Sequence, residues 1–150
     1  MGFDTETRPA FARGVHHLPC LVQVATAATV YLFPLRWREA WPVLAQVLSD
    51  TRMVKVGIGL RNDVRALKEV FPFEAENMLD PGSIAKRHGL EQSGLRNLAG
   101  IFLGFRIPKG KQTSNWAAAQ LSPAQITYAA TDAWACRELY LHFRATGLIP

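Results

Sequence analysis

The order of strand and helix patterns is the feature of this sequence that most constrains its fold. Three short strand-like runs come first, and the second and third, CLVQVAT and VYLFPL, are separated only by AAT. So short a connection predicts a hairpin of antiparallel strands. From residue 37 onward, helical and strand patterns alternate, which predicts parallel crossovers. The chain is therefore predicted to be an α/β protein with a mixed sheet.

Periodicity and capping signals give the individual elements. Apolar residues recur at helical spacing in WREAWPVLAQVLSD (37–50) and in RNDVRALKEVF (61–71), where Asn62 is predicted to be the cap. Ser122, Pro123 and Gln125 form the N-cap, first-turn proline and capping-box partner of a last helix predicted over 123–144. The other predicted elements are strands at 1–6, 53–59 and 78–79 and short helices at 81–88 and 95–103.

Length and patterning predict one domain over residues 1–150, with a core of ordinary size. The first strand starts abruptly at Met1, so we expect it to be truncated relative to a longer natural strand. No run approaches the roughly 18 apolar residues of a membrane span, and no signal peptide is recognisable. Cys20 and Cys136 lie inside apolar runs, as small core residues do. We therefore expect a cytoplasmic protein that does not act in a membrane.

The charge balance is basic, with a net charge of +5 and a sequence pI near 9.6. Such a balance suits a polyanionic partner. Many basic proteins bind nothing acidic, so this feature alone is a weak indication of nucleic-acid binding.

Two carboxylates lie close together in the first strand. Asp4 and Glu6 are alternate residues, so they project to the same face. At about 4 Å, two such charges repel by roughly 4 kcal/mol at an effective dielectric of 20. The pair therefore requires protons, basic partners or metal ions, unless the strand end is simply solvated.

Two further acids and a tyrosine extend this pattern. Asp63 opens the helix after strand 53–59, where it could also act as a helix cap. Tyr128 and Asp132 are four residues apart on one face of the last helix, among alanines that allow a close approach to the sheet. The alternative places Tyr128 in the core and Asp132 in solvent. Four carboxylates together suit hard divalent cations, and two such ions can promote phosphodiester cleavage.

Three segments resemble the acidic motifs of a known enzyme family. GFDTE, VGIGLRNDVRAL and YAATDAWACRELY are similar to those of the DEDD-type 3′→5′ exonucleases, the DnaQ-like branch of the ribonuclease H-like fold. A tyrosine four residues before the last aspartate is typical of the DEDDy subgroup. The stretches LRNLAGIFLGFRIPKGKQ and SNWAAAQLSPAQITYAATDAWA most resemble the ribonuclease D and Werner-syndrome exonuclease domains. The resemblance covers essentially the whole chain.

The resemblance implies a fold, an activity and a set of site residues. The fold would be a ribonuclease H-like mixed five-stranded sheet flanked by helices. Asp4, Glu6 and Asp132 would bind the first of two divalent ions, Mg²⁺ or Mn²⁺, with Asp4 bridging to the second. Asp63 would reach the second ion through water, and Tyr128 would orient the attacking water. The reaction would release nucleoside 5′-monophosphates from a 3′ end.

The implied substrate is DNA or RNA with a free 3′ end, without a predicted preference between them or a predicted oligomeric state. Candidate nucleic-acid contacts are Thr5, between the two acids, and Arg106, Lys109, Lys111 and Asn115 in a basic loop. That loop could equally be a solvated one. Two alternatives stay open: a non-catalytic nucleic-acid-binding module on the same fold, and an exonuclease specific for short oligonucleotides.

Overall fold

The strands form one mixed sheet in the computed structural model, which describes residues 1–150. Its order is β3-β2-β1-β4-β5. The central strand β1 (Gly2–Thr7) pairs antiparallel with β2 (Pro19–Ala25), which pairs antiparallel with β3 (Val30–Pro34). On the other side, β4 (Lys55–Val56) runs parallel to β1, and β5 (Met78–Leu79) runs parallel to β4. The predicted mixed five-stranded sheet is confirmed.

Five α-helices connect the strands and pack around the sheet. They are α1 (Trp41–Ser49), α2 (Leu60–Lys68), α3 (Pro81–Arg87), α4 (Leu95–Leu98) and α5 (Pro123–Ala145). A π-helical turn, Ala99–Leu103, continues α4. None of these helices combines the length and the apolar character required to cross a bilayer.

Two helices start at places that differ from the prediction. The helix predicted from residue 37 begins with a 3₁₀ turn, Arg38–Ala40, and becomes α-helical at Trp41, which puts Pro42 in the first α-helical turn. That turn tolerates proline because its N–H groups have no intrahelical acceptor. The predicted cap Asn62 is wrong, because α2 begins earlier and its N-cap is Gly59, at φ 74°.

The strand predicted over 53–59 is much shorter, since only Lys55 and Val56 pair. Gly57 passes so close to β1 that a Cβ there would lie 2.5 Å from the Phe3 carbonyl oxygen. Gly59 then turns the chain into α2 with a positive φ that favours glycine. The two glycines thus end the strand early and start α2 beside the carboxyl end of β1.

The two faces of the sheet carry different side chains. On one face, Phe3 packs with Val22, Val24 and apolar residues of α1 and α2, including Leu48 and Leu67, in the largest core cluster. The other face of β1 carries Gly2, Asp4 and Glu6, because side chains alternate along a strand. α5 covers this second face, so its polar residues meet the acids of β1.

α5 lies unusually close to the sheet. Its start is fixed by the predicted capping box, in which Ser122 Oγ accepts from Gln125 N at 3.2 Å and Gln125 Oε1 accepts from Ser122 N at 3.0 Å. A Cβ built on Gly2 would overlap the carbonyl oxygen of Ala133. Only a glycine in β1 therefore permits this separation, which brings Asp132 down onto the strand.

Candidate active site

Three carboxylates from the two ends of the chain meet at one point. Asp4 and Glu6 come from β1, and Asp132 comes from α5. One carboxylate oxygen from each lies within 4.8 Å of the others. The close approach of α5 to Gly2 produces this meeting, because Asp132 precedes Ala133, the residue that contacts the strand.

Two of these acids are buried. Glu6 is 7% exposed and Asp132 is 8% exposed. The alternatives of a solvated strand end and an exposed Asp132 are therefore wrong. None of the three carboxylates has a Lys or Arg nitrogen within 4.0 Å, since the ion pairs of the chain join other residues.

Burial and mutual repulsion raise the pKa of each carboxyl group. Burial, followed by the charges of Asp132 and Glu6, holds the pKa of Asp4 well above its usual range. Burial and the charge of Asp132 raise the pKa of Glu6 to about 8. Burial raises the pKa of Asp132 to about 6, although hydrogen bonding from Tyr128 opposes the shift. The metal-free cluster therefore retains protons near neutral pH that isolated carboxylates would have lost.

Asp63 approaches the cluster from the opposite face of the sheet. It lies in the first turn of α2, where Thr5 Oγ1 donates to its Oδ1 at 2.9 Å. Burial raises the pKa of Asp63 to about 6, against the hydrogen bond from Thr5. Asp63 is not the helix cap, since the N-cap of α2 is Gly59. The Thr5 side chain, predicted to contact nucleic acid, holds Asp63 in the structure. The negative charge of Asp63 further raises the pKa values of Asp4 and Glu6.

Tyr128 lies one helical turn before Asp132 and lines the same pocket. Burial, with the charges of Asp132 and Glu6, raises the pKa of Tyr128 to about 12, while Arg96 opposes the shift. The phenol is therefore protonated at neutral pH and can donate or accept a hydrogen bond, but it cannot act as a general base.

Arg96, on α4, is a site residue that the sequence reasoning missed. It lines the acidic pocket, and its charge lowers the pKa of both Tyr128 and Asp132. Arg137, on the same helix as Asp132, pairs with Glu138 instead, at 2.7 Å. An arginine on a short separate helix gives no periodic signal that would connect it with the last helix.

Gln23 on β2 is a second missed residue. It is fully buried, lies opposite Asp4 in the strand register, and its Nε2 donates to Glu6 Oε1 at 3.4 Å. Its own Oε1 has no hydrogen-bond partner. A glutamine between two valines in a buried strand was the available signal, because buried polar groups require partners.

The acidic pocket has a volume of about 460 Å³ and opens to solvent beside α4 and the basic loop. Lys109 and Gln112 line it. Arg106 lies in an adjoining groove, whereas Lys111 lines neither space. Asn115 lies elsewhere, with its Oδ1 accepting from Ala117 N and its carbonyl oxygen accepting from Gln125 Nε2. The structure thus clusters Asp4, Glu6 and Asp132 with Tyr128 beside them, holds Asp63 on Thr5 at the other face of β1, and separates the predicted nucleic-acid contacts.

The three clustered carboxylates fit a hard divalent cation. They offer only oxygen ligands, which Mg²⁺ and Mn²⁺ prefer. Their oxygens are close enough for one ion to contact all three, and none of them forms an ion pair with a Lys or Arg within 4.0 Å. A buried carboxylate cluster without such ion pairs requires either protons or bound metal.

Known proteins resemble this chain in fold or in sequence. The murine bifunctional 3′-5′ exonuclease/ATP-dependent helicase WRN is 29% identical over 93% of the chain and 10% of its own length. Escherichia coli RNase D superposes with a TM-score of 0.80 at 23% identity, over 99% of this chain and 40% of that one. Brucella melitensis NrnC, bound to pGG, gives a TM-score of 0.78 at 25% identity, over 97% and 74% of the two chains. NrnC has also been solved with bound Mg²⁺.

The chain spans between 10% and 51% of the length of WRN and of other curated relatives that it resembles. Its similarity to a family model, by contrast, extends over nearly every residue. The model describes a 3′-5′ exonuclease and matches residues 1–147. The match includes all five residues of the acidic site and confirms the resemblance in the sequence motifs. The chain therefore belongs to the 3′-5′ exonuclease family.

Proposed function

We propose that this protein is a metal-dependent 3′→5′ exonuclease that hydrolyses phosphodiester bonds and releases nucleoside 5′-monophosphates. The observation that carries the proposal is the convergence of Asp4, Glu6 and Asp132 within 4.8 Å, in a pocket that Tyr128 also lines. A non-catalytic binding module would have no need to hold three repelling carboxylates together.

The carboxylates would hold two divalent cations. Asp4, Glu6 and Asp132, whose oxygens lie within 4.8 Å of one another, would hold the first, and Asp63, which Thr5 holds by a hydrogen bond, would help to hold the second. When bound, the two cations would supply an activated water and stabilise the leaving oxygen. Magnesium in the NrnC structure supports the choice of Mg²⁺, with Mn²⁺ an equivalent hard cation.

Tyr128 would orient the attacking water. Its hydroxyl keeps its proton at neutral pH, because its pKa is about 12. The hydroxyl therefore positions the water by hydrogen bonding and leaves the nucleophile to be activated elsewhere. Gln23 would keep Glu6 in place from the strand below, since its Nε2 donates to Glu6 Oε1.

The test is digestion of a 5′-labelled single-stranded oligonucleotide, as DNA and as RNA, with Mg²⁺ or Mn²⁺ and then with EDTA. We expect a ladder that shortens from the 3′ end, with 5′-mononucleotides as products. Asp4→Asn should reduce the rate on the order of 10³-fold, because it would remove one of the carboxylates that hold the cations. Glu69→Gln makes the same chemical change at an exposed position and should leave the rate unchanged.

Two results would overturn the proposal. One is a wild-type protein that binds the oligonucleotide but does not shorten it, which would favour the non-catalytic module. The other is a ladder that persists in Asp4→Asn, which would assign the cleavage to a contaminant or to a different site.

A further inference from the structure

A second concave surface adjoins the acidic pocket. This basic groove has a volume of about 860 Å³, and its polar lining residues are Gln92, Arg96, Asn97, Arg106 and Lys109. Arg96, Asn97 and Lys109 line both spaces. The groove therefore begins where the acidic pocket ends.

Local structure fixes the cations on the two walls of the groove. Arg96 and Asn97 belong to α4, and the π-helical turn that follows ends at Gly104, which has a φ of 62°. This conformation suits glycine and reverses the chain direction. Ile107 is then buried against Ala99 and Ala135, which anchors the returning segment between Arg106 and Lys109.

No acidic residue in the lining of the groove balances its positive charge. Three cations and two amides line it, without any acidic residue. Arg96, Arg106 and Lys109 form no ion pair within 4.0 Å, since the three ion pairs of the chain involve other residues. Like charges collected in one concavity repel one another and favour an anion. The amides add hydrogen-bond donors suited to phosphate oxygens.

We propose that the basic groove binds the phosphodiester backbone of a single nucleic-acid strand next to the bond being cleaved. This inference rests on the proposed exonuclease function. It identifies the substrate as a strand of several nucleotides, because a strand that contacts both the carboxylates and Arg106 must extend beyond the acidic pocket, which Arg106 does not line. A dinucleotide bound at the carboxylates should gain little from Arg106.

Arg106 gives the sharpest test, because it is exposed and lines the groove but not the acidic pocket. Arg106→Glu should weaken binding of a fluorescent 12-nucleotide single strand about tenfold in EDTA, measured by anisotropy. The slope of log affinity against log salt should become shallower by about 0.7, the value for one lost phosphate contact on a single strand. Arg106→Lys should largely restore binding. Arg144→Glu, the same charge change at the exposed end of α5, should have little effect.

Cleavage provides the second readout. With Mn²⁺, Arg106→Glu should lower kcat/KM on the 12-mer about tenfold, mainly through KM, and should leave kcat/KM on a dinucleotide within twofold of wild type. Both the DNA and the RNA 12-mer should be affected, because the groove contacts the phosphates that they share.

Several outcomes would overturn the proposed role of the groove. One is equal affinity of wild type and Arg106→Glu for the 12-mer. Another is an equal loss of affinity in Arg144→Glu, and a third is an effect of Arg106→Glu on only the DNA or only the RNA 12-mer. A wild-type protein that cleaves the dinucleotide as well as the 12-mer would also do so. Since the anisotropy measurement requires no turnover, failure of the proposed catalysis and failure of the groove are distinguishable.

Discussion

The contact between β1 and α5 makes Gly2 a position where one methyl group should disturb both folding and the acidic site. A Cβ built on Gly2 would overlap the carbonyl oxygen of Ala133 and lie 3.0 Å from Arg137 N. β1 cannot move aside, because Gly2 is paired with Ala25 on one side and Val56 on the other. In Gly2→Ala, α5 must therefore move outward, on the order of 1 Å in so densely packed a contact.

The expected magnitude follows from this displacement. Overpacking of a well-packed contact costs about 1–3 kcal/mol. For a domain of this size, that lowers Tm by roughly 2–12 °C. Asp132 precedes Ala133, so its carboxylate would move away from Asp4 and Glu6. A misplacement of about 1 Å in a catalytic geometry lowers the rate roughly 10²-fold.

The assay combines thermal unfolding in EDTA, followed by circular dichroism, with cleavage of a single strand in Mn²⁺. Gly110→Ala is the matched control, because a Cβ there meets nothing within 4 Å and its φ is not positive. We expect the control to resemble wild type in both measurements. A Gly2→Ala protein with wild-type Tm and full activity would refute the inferred coupling between this glycine and the site.

Three further predictions concern the acidic site itself. Tyr128→Phe should lower the cleavage rate about 10²-fold and leave Mn²⁺ affinity, measured by calorimetry, unchanged, because the hydroxyl orients water and is not a metal ligand; a parallel loss of Mn²⁺ affinity would contradict that role. Gln23→Leu should weaken Mn²⁺ binding roughly tenfold, because Glu6 loses the hydrogen bond that holds it, and should change the Tm of the metal-free protein little, because the buried Oε1 of Gln23 already lacks a partner. Unaltered Mn²⁺ binding would show that Gln23 does not position Glu6. In EDTA, the free energy of unfolding should fall as pH rises from about 5 to 8. The reason is that Glu6 keeps its proton up to a pKa of about 8 in the folded state, whereas the unfolded chain releases that proton near pH 4.5. Mn²⁺ should reverse this trend by binding the ionised carboxylates, and pH-independent melting in EDTA would rule out the buried acidic cluster as its cause.

The sequence was sufficient to predict the elements whose patterns are local. Alternation placed Asp4 and Glu6 on one face, and the four-residue spacing placed Tyr128 beside Asp132. The capping box at Ser122 fixed the start of α5. Each of these features depends on residues close together in the chain, where strand and helix periods apply directly.

The missed features depend on tertiary contacts. The strand 53–59 is reduced to two residues because Gly57 must pass close to the Phe3 carbonyl, a contact that no local pattern encodes. The prediction of Asn62 as the helix cap was wrong because Gly59 adopts a positive φ and starts α2 earlier in the chain. Arg96 reaches the site through the packing of α4, so its contribution depends on the assembled fold.

The position of Asp132 has a consequence for biosynthesis. Asp4 and Glu6 are synthesised well before Asp132, which α5 supplies from much later in the sequence, and the strand face stays open until that helix docks. Until then, the emerging polypeptide lacks one of the three clustered carboxylates, beside the messenger and ribosomal RNA that surround it. The proposed nuclease site is therefore completed in a late step, when α5 closes over β1.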